Sequence, residues 1–209
     1  MHPNYRPAII AVVAVMFAQQ LTGINSIIMY SVNILSTLLP TTAALLTVAI
    51  SALNLFITTL CAPLSDKIGR KTCILLSIAG MGTSAILLAL GMSHGVKILA
   101  AIATLLFVAS FAVGLGPVPF ILANELVGPE AVGATQSWAL AANWIATFIV
   151  SQFFPILNKA MGGQGRVYYV FAGVAVVLGG IIAWWVPETR GKRGADEVWG
   201  RREGRERVE

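Results

Sequence analysis

The sequence predicts an all-α integral membrane protein built as a bundle of six transmembrane helices. The chain of 209 residues is 57% hydrophobic and only 11% charged, whereas soluble domains average about 25% charged residues. Six uncharged apolar runs reach the length of about 18 to 20 residues that a helix needs to cross a bilayer. Their short connections leave no room for a soluble domain, so we expect one membrane domain over residues 1–189 and a charged cytosolic tail over 190–209.

The predicted spans follow one another from the start of the chain to the tail. They cover residues 8–35, 43–64, 72–92, 98–122, 134–156 and 167–186. The first span follows Arg6 as the apolar core of a signal peptide would, but its apolar character resumes after Gln19 and Gln20. A continuation of this kind favours a membrane helix.

The distribution of basic residues predicts the orientation, because Lys and Arg accumulate in the cytosolic loops of membrane proteins. Arg6, the Lys67–Lys71 turn and the tail hold all but three of the 14 basic residues, and the nine carboxylates lie on the same side. Lys97, Lys159 and Arg166 lie on the other side. Both termini are therefore expected to be cytosolic, in either a plasma or a vacuolar membrane. Because topology explains the basic excess, nucleic acid is not an expected partner.

Three amide side chains in the first span exceed what helix packing requires. Gln19, Gln20 and Asn25 lie within seven residues of one another, close to Gly23. A polar stripe at helical spacing runs through Gln19, Thr22, Gly23, Ser26, Tyr30 and Asn33. Since glycine loosens a helix at low cost, we predict a break at Gly23 that lets the three amides converge on one ligand.

Uncharged polar residues recur on the second and fifth spans. They are Ser51, Asn54 and Thr58 on the second, and Gln136, Asn143, Thr147 and Ser151 on the fifth. For the serines and threonines we favour a role in joining helices to one another. Amides both donate and accept hydrogen bonds, so together these positions suit a neutral polyol such as a sugar.

The fourth span is interrupted by a Gly-Leu-Gly-Pro-Val-Pro-Phe run over residues 114–120. Proline removes a backbone donor and glycine relaxes the chain, so a break is predicted around Gly116, Pro117 and Pro119, one to two turns before Glu125. Carriers place substrate sites at discontinuous helices of this kind. A proline kink that only aids packing is the alternative.

The turn between the second and third spans is rich in charge. It reads Asp66-Lys67-Ile68-Gly69-Arg70-Lys71. We expect Asp66 to lie near a helix N-terminus and Arg70 to face a carboxylate such as Glu125 or Glu188. Taken alone, a loop that only marks the cytosolic side of the membrane is the simpler interpretation.

The sequence lacks the motifs of an enzyme. It contains no nucleophile elbow, phosphate loop or clustered metal-ligand spacing, and its two histidines, His2 and His94, lie far apart. We therefore expect no catalytic activity, no cofactor and no metal site.

Five motifs in order carry a resemblance to a known family. They are Gln-Gln-Leu-Thr-Gly-Ile-Asn at residues 19–25, the Asp66 to Lys71 turn, Gly116-Pro117-Val118-Pro119 with Glu125, Asn143-Trp144, and Pro187-Glu188-Thr189-Arg190-Gly191. The series resembles helices seven to twelve of the sugar porter family of the major facilitator superfamily. This resemblance implies one six-helix half of a major facilitator fold.

The resemblance also implies roles for individual residues. Sugar contacts are implied for Gln19, Gln20, Asn25, Asn54, Phe120 and Asn143, and a cytosolic gate for Asp66, Gly69, Arg70, Lys71, Glu125 and Glu188. Three positions depart from the family pattern. Phe120 stands where many members have Trp, Ala112 where some have Glu, and Val132 where Arg is usual.

The implied function is that of a carrier module for a monosaccharide or related polyol, working by alternating access between two six-helix halves. Because Met1 directly precedes the segment that resembles helix seven, we expect the N-terminal half to be missing. The expected partners are the sugar, the lipid bilayer, and either that missing half or a second copy of the chain. Proton symport and facilitated diffusion both remain open. The alternative function is a transporter-like protein that does not transport, such as a sugar sensor or a sorting factor.

Overall fold

The computed structural model describes residues 5–29, 43–192 and 195–199, which are helical apart from short turns. The main helices, numbered in chain order, are α1 (Arg6–Leu21), α2 (Ala43–Ile68), α3 (Arg70–Ser93), α4 (Lys97–Val113), α5 (Val118–Glu125), α6 (Val132–Ala160), α7 (Val167–Trp185) and the single turn α8 (Ala195–Val198). A 3-10 turn at Pro129–Ala131 leads into α6.

Most of these helices are long and apolar enough to cross a bilayer. Within the described residues, five such stretches are Arg6–Met29, Arg70–Ser93, Lys97–Glu125, Pro129–Ala160 and Val167–Trp185. α2 adds a shorter apolar segment, Thr47–Cys61. The predicted all-helical membrane fold is confirmed.

The helices pack in a pattern that places α5 against both α1 and α3. α3 lies along α4 and α7, α1 lies along α6, and α5 touches both α1 and α3. Small buried residues line these contacts, among them Ala18, Ala85 and Ala103, none of which is more than 1% exposed. Small side chains allow membrane helices to approach closely, so the polar residues of neighbouring helices come within bonding distance.

The helices differ from the predicted spans mainly at their ends. α2 continues four residues beyond the predicted end at Leu64 and passes through Pro63. α6 extends past the predicted 134–156 at both ends and passes through Pro155. In the first predicted span, residues 30–35 lie outside the described residues, and with them Tyr30 and Asn33 of the polar stripe.

The described part of the tail is not a simple solvated end. α8 packs onto the bundle: Val198 is 7% exposed, and the indole N–H of Trp199 donates to the backbone oxygen of Leu126 at 3.1 Å. These two residues are apolar exceptions in a charged segment, and burying them accounts for the packing. Residues 193–194 and 200–209 lie outside the described part of the chain.

Candidate functional site

The first apolar stretch, Arg6–Met29, is interrupted at Gly23, two residues after the end of α1, where the backbone φ angle is +94°. Residues with side chains rarely adopt such an angle, and a Cβ here would lie 2.9 Å from the ring of Phe171. Helical structure resumes at residues 24–29. The break brings Gln20 on one side of the glycine and Asn25 on the other into hydrogen-bonding contact.

Gln20 and Asn25 form an amide pair with unused hydrogen-bonding groups. Asn25 Nδ2 donates to Gln20 Oε1, and also to Thr147 Oγ1 of α6 at 3.1 Å. Gln20 Nε2 and Asn25 Oδ1 make no hydrogen bond to another described residue. The pair therefore keeps one donor group and one acceptor group available, at a position where Gln20 is only 6% exposed.

The third amide, Gln19, is engaged within the protein. Its Nε2 donates to the backbone oxygens of Leu115 at 2.6 Å and Gly116 at 3.2 Å. Its Oε1 accepts a hydrogen bond from Asn143 Nδ2. A primary amide has two N–H donors, and both are used. Gln19 therefore joins α1 to α6 and to the turn between α4 and α5.

That turn is the second helix break. α4 ends at Val113, and α5 begins at Val118 and runs eight residues to Glu125. Pro117 caps α5 and Pro119 lies in its first turn, where a missing backbone N–H costs no intrahelical bond. The two prolines thus start the second helix segment at Val118, just under two turns before Glu125.

The remaining residues that sequence reasoning assigned to the sugar make no hydrogen bond to the amide pair among the described residues. Asn54 of α2 accepts a hydrogen bond from Thr58 Oγ1 at 3.2 Å, and its side chain is half-buried. Phe120 of α5 is partly buried against the core, and its backbone oxygen accepts from Gln136 Nε2 at 3.1 Å. Asn143 reaches the cluster only through Gln19. The described residues thus bring together Gln19, Gln20, Asn25 and Asn143, but not Asn54.

Arg70, the first residue of α3, is the centre of a charged cluster at the other end of α5. Its Nη2 lies 2.9 Å from Glu125 Oε1 and 2.7 Å from Asp66 Oδ1. Its Nε also donates to Glu125 Oε1, at 3.1 Å, and its Nη1 donates to the backbone oxygen of Ser65. The other oxygen of Glu125 accepts from Thr189 Oγ1. Arg70 thus links α2, α3 and α5.

Glu188 does not pair with the Arg70 guanidinium but caps the helix that begins there. Its Oε1 accepts from the backbone N–H groups of Arg70 at 2.8 Å, Thr189 at 3.0 Å and Arg190 at 3.1 Å. Gly69 allows this contact. Its φ angle is +108°, and a Cβ there would lie 2.5 Å from Glu188 Oε2. The helix N-terminus carries a partial positive charge that favours the carboxylate.

One expectation for the charged turn needs correction. Asp66 lies in the last turn of α2 rather than at a helix N-terminus, because α2 continues to Ile68 and only Gly69 separates it from α3. Its carboxylate is held there by Arg70, four residues later. Lys71 forms no ion pair or hydrogen bond with the described residues.

A cavity of about 360 Å³ opens beside the charged cluster. Glu125, Val132, Lys192 and Val198 contribute to its wall. Val132 occupies the position where the resemblance implies an arginine, and Lys192 donates to the Val198 backbone oxygen. Among the described residues, Arg70 is therefore the only cation paired with Glu125.

Sequence reasoning missed two residues of the charged cluster and one hydrogen bond outside both clusters. Thr189 donates to Glu125, and the backbone oxygen of Ser65 accepts from Arg70. Thr189 directly follows Glu188 in the closing motif, a position that could have suggested its role. The Tyr5 hydroxyl donates to Glu130, but no pattern connects residues this far apart in sequence.

Comparison with known proteins identifies the family. The family model described as "Sugar (and other) transporter" matches residues 1–197. The chain belongs to this family. Members of the sugar transporter family carry solutes across membranes and are not enzymes, so the predictions of a multi-pass membrane protein and of no enzymatic activity are confirmed.

Individual relatives cover most of this chain. The "Probable metabolite transport protein YBR241C" of Saccharomyces cerevisiae is 37% identical over 197 residues, which are 94% of this chain and 40% of the relative. "Vacuolar protein sorting-associated protein 73" of the same yeast is 31% identical, covering 86% of this chain and 36% of that protein. The proton:xylose symporter XylE from E. coli, bound to 6-bromo-6-deoxy-D-glucose, matches with 29% identity and a TM-score of 0.82 over 92% of this chain. The chain spans 42% of the symporter.

Proposed function

We propose that this chain is the C-terminal six-helix module of a carrier for a monosaccharide or related polyol. The amide pair of Gln20 and Asn25 carries the proposal. It offers one open donor and one open acceptor beside a helix break, and a sugar hydroxyl is itself both donor and acceptor. No charged residue takes part in the pair, which favours a neutral solute over an ionised one.

The charged cluster supports alternating access as the mechanism. Arg70 and Glu125 join the start of α3 to the end of α5, on the side that the basic residues mark as cytosolic. An ion pair formed in only one of two conformations favours that conformation by its free energy. We assign the ion pair of Arg70 and Glu125 to the state that is closed towards the cytosol. We place both termini of the chain on the cytosolic side as well.

The proposal includes a second six-helix half that completes the cavity. Carriers of this architecture hold the substrate between two halves that move against each other. The chain accounts for 40% of the length of the yeast relative, which is consistent with one half. We take the partner to be an N-terminal half, with a second copy of this chain as the other candidate.

Transport in liposomes tests the proposal. A twelve-helix carrier is made by joining this chain to the N-terminal half of the yeast YBR241C protein. Uptake of D-xylose, D-glucose and sorbitol is compared with uptake of glucose 6-phosphate, with and without an inward proton gradient. We expect saturable uptake of at least one neutral solute and none of the phosphate. Stimulation by the gradient would identify symport.

The outcomes separate the mechanism from the substrate class. Uptake of the phosphate in preference to neutral sugars would contradict the amide site as the binding site. The matched control carries Gln164→Ala, because Gln164 is an exposed amide in the loop before α7. This control should transport like the unmodified carrier.

A non-transporting sugar sensor or sorting factor is the second candidate. Similarity to the yeast vacuolar protein sorting-associated protein, at 31% identity over 86% of this chain, favours keeping it. A sensor would bind sugar, seen as a rise in thermal unfolding temperature, without any uptake. Uptake with normal saturation kinetics would rule this candidate out.

A further inference from the structure

The peptide units of the second helix break are bonded to two other helices. The backbone N–H of Leu115 donates to Ser77 Oγ of α3 at 3.1 Å, while its backbone oxygen accepts from Gln19 of α1 at 2.6 Å. Leu115 is fully buried, and Ser77 is 1% exposed. Buried backbone groups require partners. Ser77 therefore supplies the hydrogen-bond acceptor that the interrupted helix does not offer to the N–H of Leu115.

The same break lies directly against the beginning of α3. A Cβ on Gly114 would lie 2.2 Å from the backbone oxygen of Cys73 and 3.0 Å from the Cβ of Ser77. Contact this close leaves no space for a side chain or a water molecule between the two backbones. The break therefore cannot shift far unless α3 moves with it.

α3 is thus attached to the α4–α5 region at two levels. At its first residue, Arg70 pairs with Glu125 at the end of α5. Seven residues further along α3, about 10 Å at 1.5 Å per residue, Ser77 holds Leu115 at the start of the break. A continuous stretch of α3 connects these two contacts.

We propose that Ser77 is a positioning residue that couples the cytosolic gate to the substrate site. When Arg70 and Glu125 pair, α3 holds the backbone N–H of Leu115 through Ser77. The backbone oxygen of the same residue holds Gln19 next to the amide pair. When the gate opens, both contacts change together. This inference rests on the proposed carrier function, because it concerns how the two conformations are linked.

The test compares two buried serines of the same helix. Ser84 is 3% exposed, and its hydroxyl donates to the Gly80 backbone oxygen within α3. Ser77→Ala and Ser84→Ala therefore remove the same group at similar burial, but only the first leaves a buried N–H of another segment without a partner. We expect Ser77→Ala to weaken sugar affinity of the twelve-helix carrier about five-fold or more, with Ser84→Ala within about two-fold.

A double-mutant cycle of Ser77→Ala and Arg70→Ala separates coupling between Ser77 and the gate from a local packing effect of Ser77→Ala. If Ser77 acts with the gate, Ser77→Ala should have much less effect in an Arg70→Ala background than in the unmodified carrier. Additive effects of the two changes, or equal effects of Ser77→Ala and Ser84→Ala, would overturn the inference.

Hydrogen exchange tests the same coupling without sugar and without changing Ser77. In the 209-residue chain in lipid nanodiscs, mass spectrometry follows exchange of the peptide that contains Leu115. We expect Arg70→Ala to speed this exchange about five-fold or more, and Lys67→Ala, which removes an exposed cation, to leave it unchanged. Unchanged exchange in Arg70→Ala would overturn the inference even if sugar transport is confirmed. Absent transport with faster exchange would instead reject the carrier function alone.

Discussion

The amide cluster and the charged cluster differ in how completely their hydrogen bonds are satisfied. In the amide cluster, Gln20 and Asn25 share one bond and leave a donor and an acceptor without a described partner. In the charged cluster, both oxygens of Glu125 are occupied, one by Arg70 and the other by Thr189. The amide cluster keeps groups that can bond to a ligand, whereas the carboxylate oxygens of Glu125 in the charged cluster are bonded within the protein.

This difference indicates different tasks. The open groups of the amide pair can bond to a hydroxyl, which is both donor and acceptor, as the proposed sugar site requires. Charge-assisted bonds are about twice as strong as neutral ones, so the Arg70 cluster holds one conformation without a ligand. Substitutions in the charged cluster should change conformation and stability, and those in the amide cluster should change affinity.

The largest effect is expected from Gly69→Ala. The strained backbone angle costs about 1–3 kcal/mol for a residue with a side chain, and the Cβ would also displace Glu188 from the start of α3. Loss of those charge-assisted bonds adds about 1.5–3 kcal/mol. The thermal unfolding temperature should fall sharply.

Gly95→Ala is the matched control for this change. Gly95 also has a positive φ angle, +68°, but a Cβ there would have no atom within 4 Å. Its substitution should therefore show only the smaller cost of the backbone angle. Equal losses in the two variants would mean that Glu188 adds nothing to the stability of the charged cluster.

A smaller effect is expected from opening the ion pair between Arg70 and Glu125. Arg70→Ala and Glu125→Ala should each favour the inward-open state by about 1–3 kcal/mol, which is about a 5- to 150-fold change in the population ratio. Cys73 is fully buried beside the second break, so its alkylation from the cytosolic side reports opening in a Cys61→Ser background.

The double variant shows whether the two residues act together. Removing both charges should have nearly the same effect on Cys73 alkylation as removing one, because the pair is already lost. Lys67→Ala is the control, since it removes an exposed cation from the same region. A double variant that alkylates at the rate expected for independent effects would contradict the pairing.

The smallest effect of this series is expected from Val132→Arg. The cavity of about 360 Å³ next to Glu125 has space for a longer side chain. A second cation there should favour the closed gate by about 1 kcal/mol, since the cavity is open to solvent. Cys73 alkylation should slow by about five-fold, and neutral Val132→Gln should not slow it. Equal rates in both variants would show that charge at this position has no effect on the gate.

Much of this architecture could be predicted from the sequence. Apolar runs of bilayer length predict the helices. Gly23 and the prolines at 117 and 119 predict the positions of the two helix breaks. Convergence of Gln20 and Asn25 follows from the glycine between them. These features depend on residues that are close in sequence, for which periodicity and backbone preferences are sufficient.

Features that depend on distant residues could not be predicted in the same way. Gln19 looks equivalent to Gln20 in the sequence, yet its partners are about 96 residues away at the second break. The continuation of α2 through Pro63 follows from its packing against α4 and α3, which offsets the loss of one backbone bond. Only the arrangement of the helices distinguishes Gln19, which bonds to other helices, from Gln20 and Asn25, which keep hydrogen-bonding groups without described partners.

Sugar affinity of the Gln20→Ala and Asn25→Ala variants tests the central claim most directly. In the twelve-helix carrier, each lost hydrogen bond should weaken affinity by about 0.5–1.5 kcal/mol, about 2- to 12-fold, with Cys73 alkylation unchanged. Gln164→Ala should bind sugar normally. Unchanged affinity in both amide variants would contradict the assignment of this pair as the substrate site.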